Sequence, residues 1–555
     1  MINDQFKWWQ KTVVYQIYPR SFKDSTGNGI GDLMGIIEKL DYLQDLGIET
    51  IWFSPFFESP QQDHGYDITN FREIDPVYGT MEDFDKLLER IHDREMKIVL
   101  DLVLNHTSIK HPWFIQSASS KDNSKRNWYI WRDGKKQGGK KPPNNWKAIP
   151  GGPAWKYHEN TDQWYYFHFL PFQPDLNYRN PKVKEEMFDT MRFWLDKGVD
   201  GFRLDILHSI YEDELLRNNP FSWNLALSDK KPACYFQYHK YDLNLPETFE
   251  LTIELRNIME EYDPERFLVG EISGSIENVR KYYGPNNNGL HMAFLFEFTS
   301  TPFNSKKYRK VISRIEKVLA FPYTPTFVYS NHDRTRHISL LKENIKKAKI
   351  LAALQLTLRG VPFIYYGEEI GMSNIKFKLK TSEDPLGQKF SKFPFPQIAR
   401  ILGLSLTRDS CRTPMQWNAE PNAGFTSNPE ITTWLKISEN YKKINVYNEE
   451  NDANSLLNCY KQLINVRRES IPLQNGVFHL IDLGKVNKKC IAYNRIYEMH
   501  EIYVYLNFSN KELLVEKPTQ KPALIFSTLA NRKALNPDAY DGNIKLSPLE
   551  GVIFK

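Results

Sequence analysis

Cysteine is scarce in this 555-residue chain: Cys234, Cys411, Cys459 and Cys490 lie far apart and form no C-x-x-C pair. That spacing excludes a zinc ribbon and a disulfide framework, and the four read as reduced thiols. No uninterrupted apolar run is long enough to cross a bilayer, and the stretch from Met1 to Trp9 holds no apolar segment of a secretory signal. A soluble cytoplasmic protein without a membrane partner is expected. Blocks of like charge are also lacking. The 73 basic and 68 acidic residues leave a net charge of +5 spread along the chain, and the lysines at Lys135, Lys136, Lys140 and Lys141 read as solvated loop, so no nucleic-acid partner is expected. No internal repeat is evident.

What is present begins with Gly201-Phe202-Arg203-Leu204-Asp205, a short apolar strand that carries an arginine and a carboxylate. Side chains alternate along a strand, so Arg203 and Asp205 face the same way. A nearby guanidinium favours the ionised carboxylate, which suits a nucleophile. A structural Arg–Asp pair would look the same. Three more apolar runs end in polar clusters, at Asn105-His106, at Glu271 and at Asn331-His332-Asp333. Chemistry at the ends of several strands is the habit of a (β/α)8 barrel.

Taken in order, strand and helix signals alternate. Strands are expected at Val13 to Tyr18, Thr50 to Phe53, Lys97 to Leu102, Gly201 to Asp205, Phe267 to Gly270, Phe294 to Phe298, Thr326 to Tyr329 and Phe363 to Tyr366. Helices are expected at Leu33 to Leu46, Thr80 to Glu95, Pro181 to Lys197 and Leu251 to Tyr262. The fold class is therefore α/β: a (β/α)8 TIM barrel over residues 1–106 and 174–471, an inserted domain over 107–173 after the third strand, and an antiparallel β-sandwich over 472–555. Gly371 to Arg400 reads as an exposed, ordered loop. Aromatic residues reach 14%, with 13 Trp, many of them in the insertion. Flat apolar faces suit the C–H faces of sugars and equally an ordinary core.

The loop Asp24-Ser-Thr26-Gly-Asn28-Gly-Ile30-Gly-Asp32 places oxygen-bearing residues at every second position, as in the front half of an EF-hand loop. It reads either as a site for one structural Ca2+ or Mg2+, with Thr26 or Ile30 lending backbone carbonyls, or as a plain Asx and glycine turn.

The strand ends Asp101-Leu-Val-Leu-Asn105-His106, Gly201-Phe-Arg203-Leu-Asp205, Gly270-Glu271 and Asn331-His332-Asp333 occur together in the order of the α-amylase superfamily of glycoside hydrolases. With Tyr15-Gln-Ile-Tyr-Pro-Arg-Ser-Phe22, Gly65-Tyr66-Asp67, Gln173-Pro-Asp-Leu-Asn177 and Arg412-Thr-Pro-Met-Gln-Trp417, nearly the whole chain resembles the α-glucosidase and oligo-1,6-glucosidase branch. The resemblance implies Asp205 as nucleophile, Glu271 as general acid/base and Asp333 as a third carboxylate on the sugar-ring hydroxyls. It implies His106 and His332 as sugar-binding histidines and Arg203 as the arginine beside the nucleophile. Asp63, Arg412 and the stacking ring of Tyr66 would close a pocket around a terminal glucose. Retention of configuration asks for carboxyls about 5–5.5 Å apart, which neighbouring barrel strands can supply. Burial and nearby negative charge should keep Glu271 protonated while Arg203 keeps Asp205 ionised.

Three departures from the family pattern stand out. Asn28 occupies a loop position where relatives have Asp. The approach His168-Phe169-Leu-Pro-Phe-Gln173 is short, with Phe169 the candidate aromatic lining the pocket. Ile206 follows the nucleophile where Val goes with α-1,6 and Thr with α-1,4 cleavage. The resulting expectation is an exo-acting retaining α-glucosidase on short oligosaccharides with α-1,6 or α-1,4 linkages or on sucrose. It would need no organic cofactor and would work as a monomer or small homo-oligomer. A transglucosylase or sugar isomerase on the same scaffold is the alternative, and a non-catalytic transporter accessory chain, which often lacks the carboxylates, is the remote one.

Overall fold

The structure is a computed structural model and describes residues 6–135, 139–225, 231–391, 406–516, 523–530, 532 and 543–555. Lys136 and the part of the Gly371 to Arg400 segment beyond Ser391 lie outside them. Eight strands make one sheet: β1 (Val14–Ile17), β2 (Thr50–Phe53), β3 (Lys97–Leu102), β4 (Gly201–Leu204), β5 (Phe267–Gly270), β6 (Met292–Ala293), β7 (Thr326–Val328) and β8 (Val361–Tyr365). Their hydrogen-bonding order is β6-β5-β4-β3-β2-β1-β8-β7, so neighbours in sequence are neighbours in space and β8 returns to β1. The chain divides into two units, Met1–Ile51 with Arg90–Met96 and Leu295–Lys555, and Trp52–Glu89 with Lys97–Phe294.

In the second unit β3, β4, β5 and β6 run parallel. Asp101 pairs with Arg203, and Arg203 in turn with Val269. The helix Pro181–Asp196 precedes β4. Its start is set by Asn180, whose side chain accepts from the Lys182 amide, and by proline in the first turn, where a missing N–H costs nothing. Val183, Met187, Met191, Trp194 and Leu195 form its buried face. Each such side chain contributes about 1.5–3 kcal/mol by leaving water. Between β3 and that helix the chain forms the helix Pro112–Ser119 and a three-stranded antiparallel sheet of Trp131–Arg132, Gln163–Tyr166 and Trp155–His158. Phe114 packs against the rings of Tyr129, Trp131 and Tyr165 at centroid distances of 5.0, 5.6 and 5.1 Å. These aromatics are the core of the insertion.

In the first unit β1, β8 and β7 run parallel, with Tyr15 opposite Ile364 and Phe327 opposite Pro362. The helix expected from Leu33 to Leu46 is two pieces, Leu33–Ile37 and Leu40–Leu46, the second closed by Gly47 at φ 90°. That left-handed stop suits glycine, which has no Cβ to clash. The strand expected at Phe294 to Phe298 is instead the pair Met292–Ala293 followed by the helix Glu297–Ser300. Five residues, four of them apolar around Glu297, carry no period that distinguishes the two. The segment after Gly371 holds a 3-10 turn, Leu379–Thr381, and the helix Pro385–Ser391.

From Val477 onward the strands are antiparallel. β9 (Val477–Leu480), β10 (Cys490–Tyr497), β11 (His500–Asn507), β13 (Leu524–Ser527) and β15 (Gly551–Phe554) form one sheet in the order β9-β10-β11-β15-β13. β12 (Leu513–Glu516) pairs with β14 (Asn543–Leu546) in a second. Ala492, Tyr505, Val552 and Phe554 of the larger sheet share one core with Leu513, Val515, Ile544 and Leu546 of the smaller. Alternation along each strand gives these inward faces.

Candidate active site

Two groups of polar side chains stand at the ends of parallel strands, one in each unit. In the second unit the ladder continues past the strand ends: the Asp205 amide donates to Leu102 O at 3.2 Å and the Glu271 amide to Leu204 O at 2.9 Å. Asp205 and Glu271 are thus at the same level on strands about 4.8 Å apart. Arg203, fully buried, lies between them. Its Nη1 donates to both oxygens of Asp101 at 2.7 and 2.8 Å and to Asp205 Oδ1 at 2.7 Å, while Nη2 donates to Glu271 Oε2. One guanidinium therefore serves three carboxylates.

Burial pushes the Asp101 carboxyl up, and Glu271 adds to this. Arg203 and the Tyr66 hydroxyl pull it back, leaving it at about 6. Burial works against the charge on Arg203, yet Asp101, Glu271, Tyr66 and Asp205 raise it well above its ordinary value. Tyr66 donates to Asp101 Oδ2 at 3.0 Å. His106 is buried, and that burial lowers it to about 4, so it is neutral. Its Nδ1 accepts from Asn105 Nδ2 at 3.3 Å and its Nε2 donates to Tyr66 O at 3.2 Å. Asp63 accepts from Gln173 Nε2 at 3.1 Å and donates its amide to Asp67, whose own carboxyl is pushed up to about 6, chiefly by burial. Ile206 sits in the left-handed region at φ 33°, ψ 39° and opens the 3-10 turn Leu207–Ser209. A β-branched residue there is strained. Phe169 is half-buried, next to His168, whose amide donates to Asp175 at 2.9 Å.

In the first unit the loop after β7 carries His332 and Asp333. Gln16 Nε2 donates to His332 Nδ1 at 2.7 Å, which fixes the tautomer, and His332 Nε2 faces Asp333 Oδ2 at 3.0 Å. Arg412 reaches Asp333 Oδ1 at 2.8 Å and the His332 carbonyl at 2.8 Å. Tyr18 stacks on His332 with centroids 6.0 Å apart. Arg408 adds a longer contact to Asp333 Oδ1 at 3.4 Å and is itself clamped by Asp384. Burial opposes the charge on Asp333, but His332, Arg412 and Arg408 hold it well below the usual carboxylate range.

Sequence reasoning missed Asp101, Arg408 and Asp384 as contributors. Asp101 could have been found from register, since it is the residue beside Arg203 on the next strand. Arg408 precedes Arg412 by one 3-10 turn, Arg408–Cys411, and Asp384 has no local signal.

The Asp24–Asp32 loop is closed by its own hydrogen bonds. Asp24 Oδ1 accepts from Gly27 N at 2.8 Å and Thr26 Oγ1 at 3.2 Å, and Oδ2 from Gly29 N at 2.7 Å. Asp32 takes Ser25 and Gly35 as the N-cap of Leu33–Ile37, and Asn28 takes the Ile30 amide at 2.8 Å. Each carboxylate oxygen of Asp24 and Asp32 accepts at least one of these bonds, which hold the loop in shape. Among the described residues no cluster of three or more His, Cys, Asp or Glu is placed to hold a metal ion.

A family model described as alpha amylase, catalytic domain, matches residues 16–476. The chain is 37% identical to the oligo-1,6-glucosidase of Bacillus cereus, over 99% of both proteins. Among solved structures, an alpha-glucosyl transfer enzyme, XgtA, superposes with a TM-score of 0.88 at 34% identity over 99% of both chains. The trehalulose synthase MutB of Pseudomonas mesoacidophila MX-45 gives a TM-score of 0.87 at 33% identity, again over 99% of both. The matching family model and these full-length likenesses agree with the strand order and the carboxylates at the strand ends: the chain is an enzyme of the alpha-amylase family of glycoside hydrolases, with a (β/α)8 barrel and a C-terminal antiparallel β-sandwich.

Proposed function

We propose that this enzyme is an exo-acting, retaining α-glucosidase that releases terminal non-reducing glucose from short oligosaccharides. The observation that carries the reading is the placement of Asp205 and Glu271 at one level on neighbouring strands, both bonded to Arg203. Asp205 attacks the anomeric carbon as Glu271 gives its proton to the leaving oxygen. Glu271 then takes a proton from the water that hydrolyses the glucosyl-enzyme. The remaining roles follow from the family likeness. Asp333 binds ring hydroxyls, His106 and His332 hydrogen-bond the sugar, and Asp63 and Arg412 grip the terminal glucose beside the Tyr66 ring. Ile206, closer to Val than to Thr in shape, favours α-1,6 linkages, as does the name of the Bacillus cereus relative.

The chemistry uses no organic cofactor, and no step runs through the Asp24–Asp32 loop. All four cysteines are free and buried, which supports work in a reducing cytoplasm; a monomer or small homo-oligomer remains the expected state. No helix among the described residues is long and apolar enough to cross a membrane. The likeness to XgtA and MutB supports a second reading, in which a sugar instead of water takes the glucosyl group.

The test is product release from isomaltose, maltose, sucrose and trehalose, followed by NMR. Initial release of α-glucose, fastest from isomaltose, is expected. Initial β-glucose would refute retention, and a dominant new disaccharide would favour transfer.

A further inference from the structure

Outside the catalytic carboxylates, one cluster in the second unit has the makings of a reactive centre. Cys234 ends the short strand Ala233–Cys234, which pairs antiparallel with Gln237–Tyr238 across Tyr235 and Phe236. Its Sγ lies 3.2 Å from His239 Nε2, and His239 Nδ1 lies 2.9 Å from Asp242 Oδ2. All three side chains are buried. Asp242 takes the Nδ1 hydrogen, so Nε2 faces the thiol as its acceptor. The other oxygen of Asp242 is held by Asn219 Nδ2 at 2.7 Å, which fixes the carboxylate. Thiol, imidazole and carboxylate in that order are what turns a cysteine into a nucleophile: the imidazole accepts the sulfur proton and the carboxylate steadies the imidazolium. Burial disfavours a charged His239, but Asp242 and the thiol raise it to about 10.

The other three thiols have no such partner. Cys411 faces the carbonyls of His332 and Arg408, and Cys490 that of Ile491. Burial pushes the thiols of Cys411, Cys459 and Cys490 up to about 12 each.

Cys234 lies in the hairpin itself, directly before its turn. Tyr235 at φ 49° and Phe236 at φ 63° both occupy the left-handed region. That conformation costs a non-glycine residue about 1–2 kcal/mol. The hairpin is tied to the preceding segment, with Tyr235 N donating to Leu225 O at 2.9 Å, Phe236 N to Asn224 O at 2.8 Å and Tyr238 N to Pro220 O at 2.9 Å, so a peroxide reaches the buried sulfur by local opening of these bonds.

We propose that Cys234 is an activated thiol, with His239 as its base and Asp242 as the orienting group, that reacts with small peroxides. The thiolate sulfur attacks one peroxide oxygen, the S–O bond forms as the O–O bond breaks, and the departing hydroxide takes the imidazolium proton and leaves as water. The cysteine is oxidised to a sulfenic acid and the peroxide is reduced.

The test treats the reduced, full-length protein with hydrogen peroxide in the presence of dimedone and follows each cysteine by mass spectrometry. Cys234 is expected to form the adduct at least tenfold faster than Cys411, Cys459 or Cys490, and His239→Asn to slow it at least tenfold while the other three keep their rates. Equal rates among the four thiols, or an unchanged Cys234 rate in H239N, would overturn the assignment. The comparison of the four thiols needs no variant, so it decides the question if H239N does not fold.

Discussion

Asp101 and Asp333 respond to pH in opposite directions, because burial dominates at the first and the basic groups His332, Arg412 and Arg408 dominate at the second. Asp101, on Arg203, has its carboxyl raised from 3.8 to about 6. A raised carboxyl favours the fold below its unfolded value, and that contribution is lost as pH rises through about 6. Asp333 is depressed, so its contribution is present above 3.8 and disappears as pH falls below that value. Asp101→Asn should therefore flatten the decline of Tm between pH 3.8 and about 6, and Asp333→Asn the decline on the acid side; Tm scans over pH check both. Breaking a buried pair costs about 3–5 kcal/mol, but Arg203 keeps two partners, so Asp101→Asn should fall at or below the low end. Asp205→Asn and Glu271→Gln should lower kcat by about 10^3-fold or more, measured on isomaltose, while the fold is retained with a loss of Tm no larger than that of Asp101→Asn. At Ile206, Ile206→Thr should shift the maltose to isomaltose ratio of kcat/KM toward maltose, and an unmoved ratio would remove this residue from the determinants of linkage.

At the level of elements, the sequence reading was best where period, caps and length agreed. Lys97–Leu102 and Phe267–Gly270 lie where their apolar runs placed them, and Pro181–Asp196 ends within one residue of expectation. It failed at Phe294 to Phe298, too short for a period, and in the middle of Leu33 to Leu46, where the helix breaks between Ile37 and Leu40. The Asp24–Asp32 loop shows a different ambiguity, because alternating oxygens serve a cation and a set of backbone amides equally well. Here they serve amides. Asp32→Ala removes an N-cap and the Ser25 bonds and should cost more than the ~1 kcal/mol of an ordinary cap. Asn28→Ala, which loses one bond to Ile30, should cost less. Chelator treatment should leave Tm unchanged; a fall restored by Ca2+ would show that the loop does bind a cation.

For the whole molecule, part of the aromatic abundance is core: Phe114 packs against Tyr129, Trp131 and Tyr165 in the insertion. The motif-bearing residues were legible because a barrel strand fixes their order along the chain. Arg408 and Asp384 were not, since the contact between them joins segments 24 residues apart that share no pattern. The net charge of +5 is diffuse and the proposed substrate is neutral, so kcat/KM should change little between about 0.05 and about 0.5 M salt.

The shared arginine also bears on how this enzyme should be assayed. Three acids around one guanidinium suit the positive charge that develops on the sugar in the transition state, and they suit any small ammonium ion just as well. A primary-amine buffer would compete with the substrate and raise the apparent KM, while phosphate would not. Turnover measured in the two buffers at one pH would report directly on the charge that the strands have gathered.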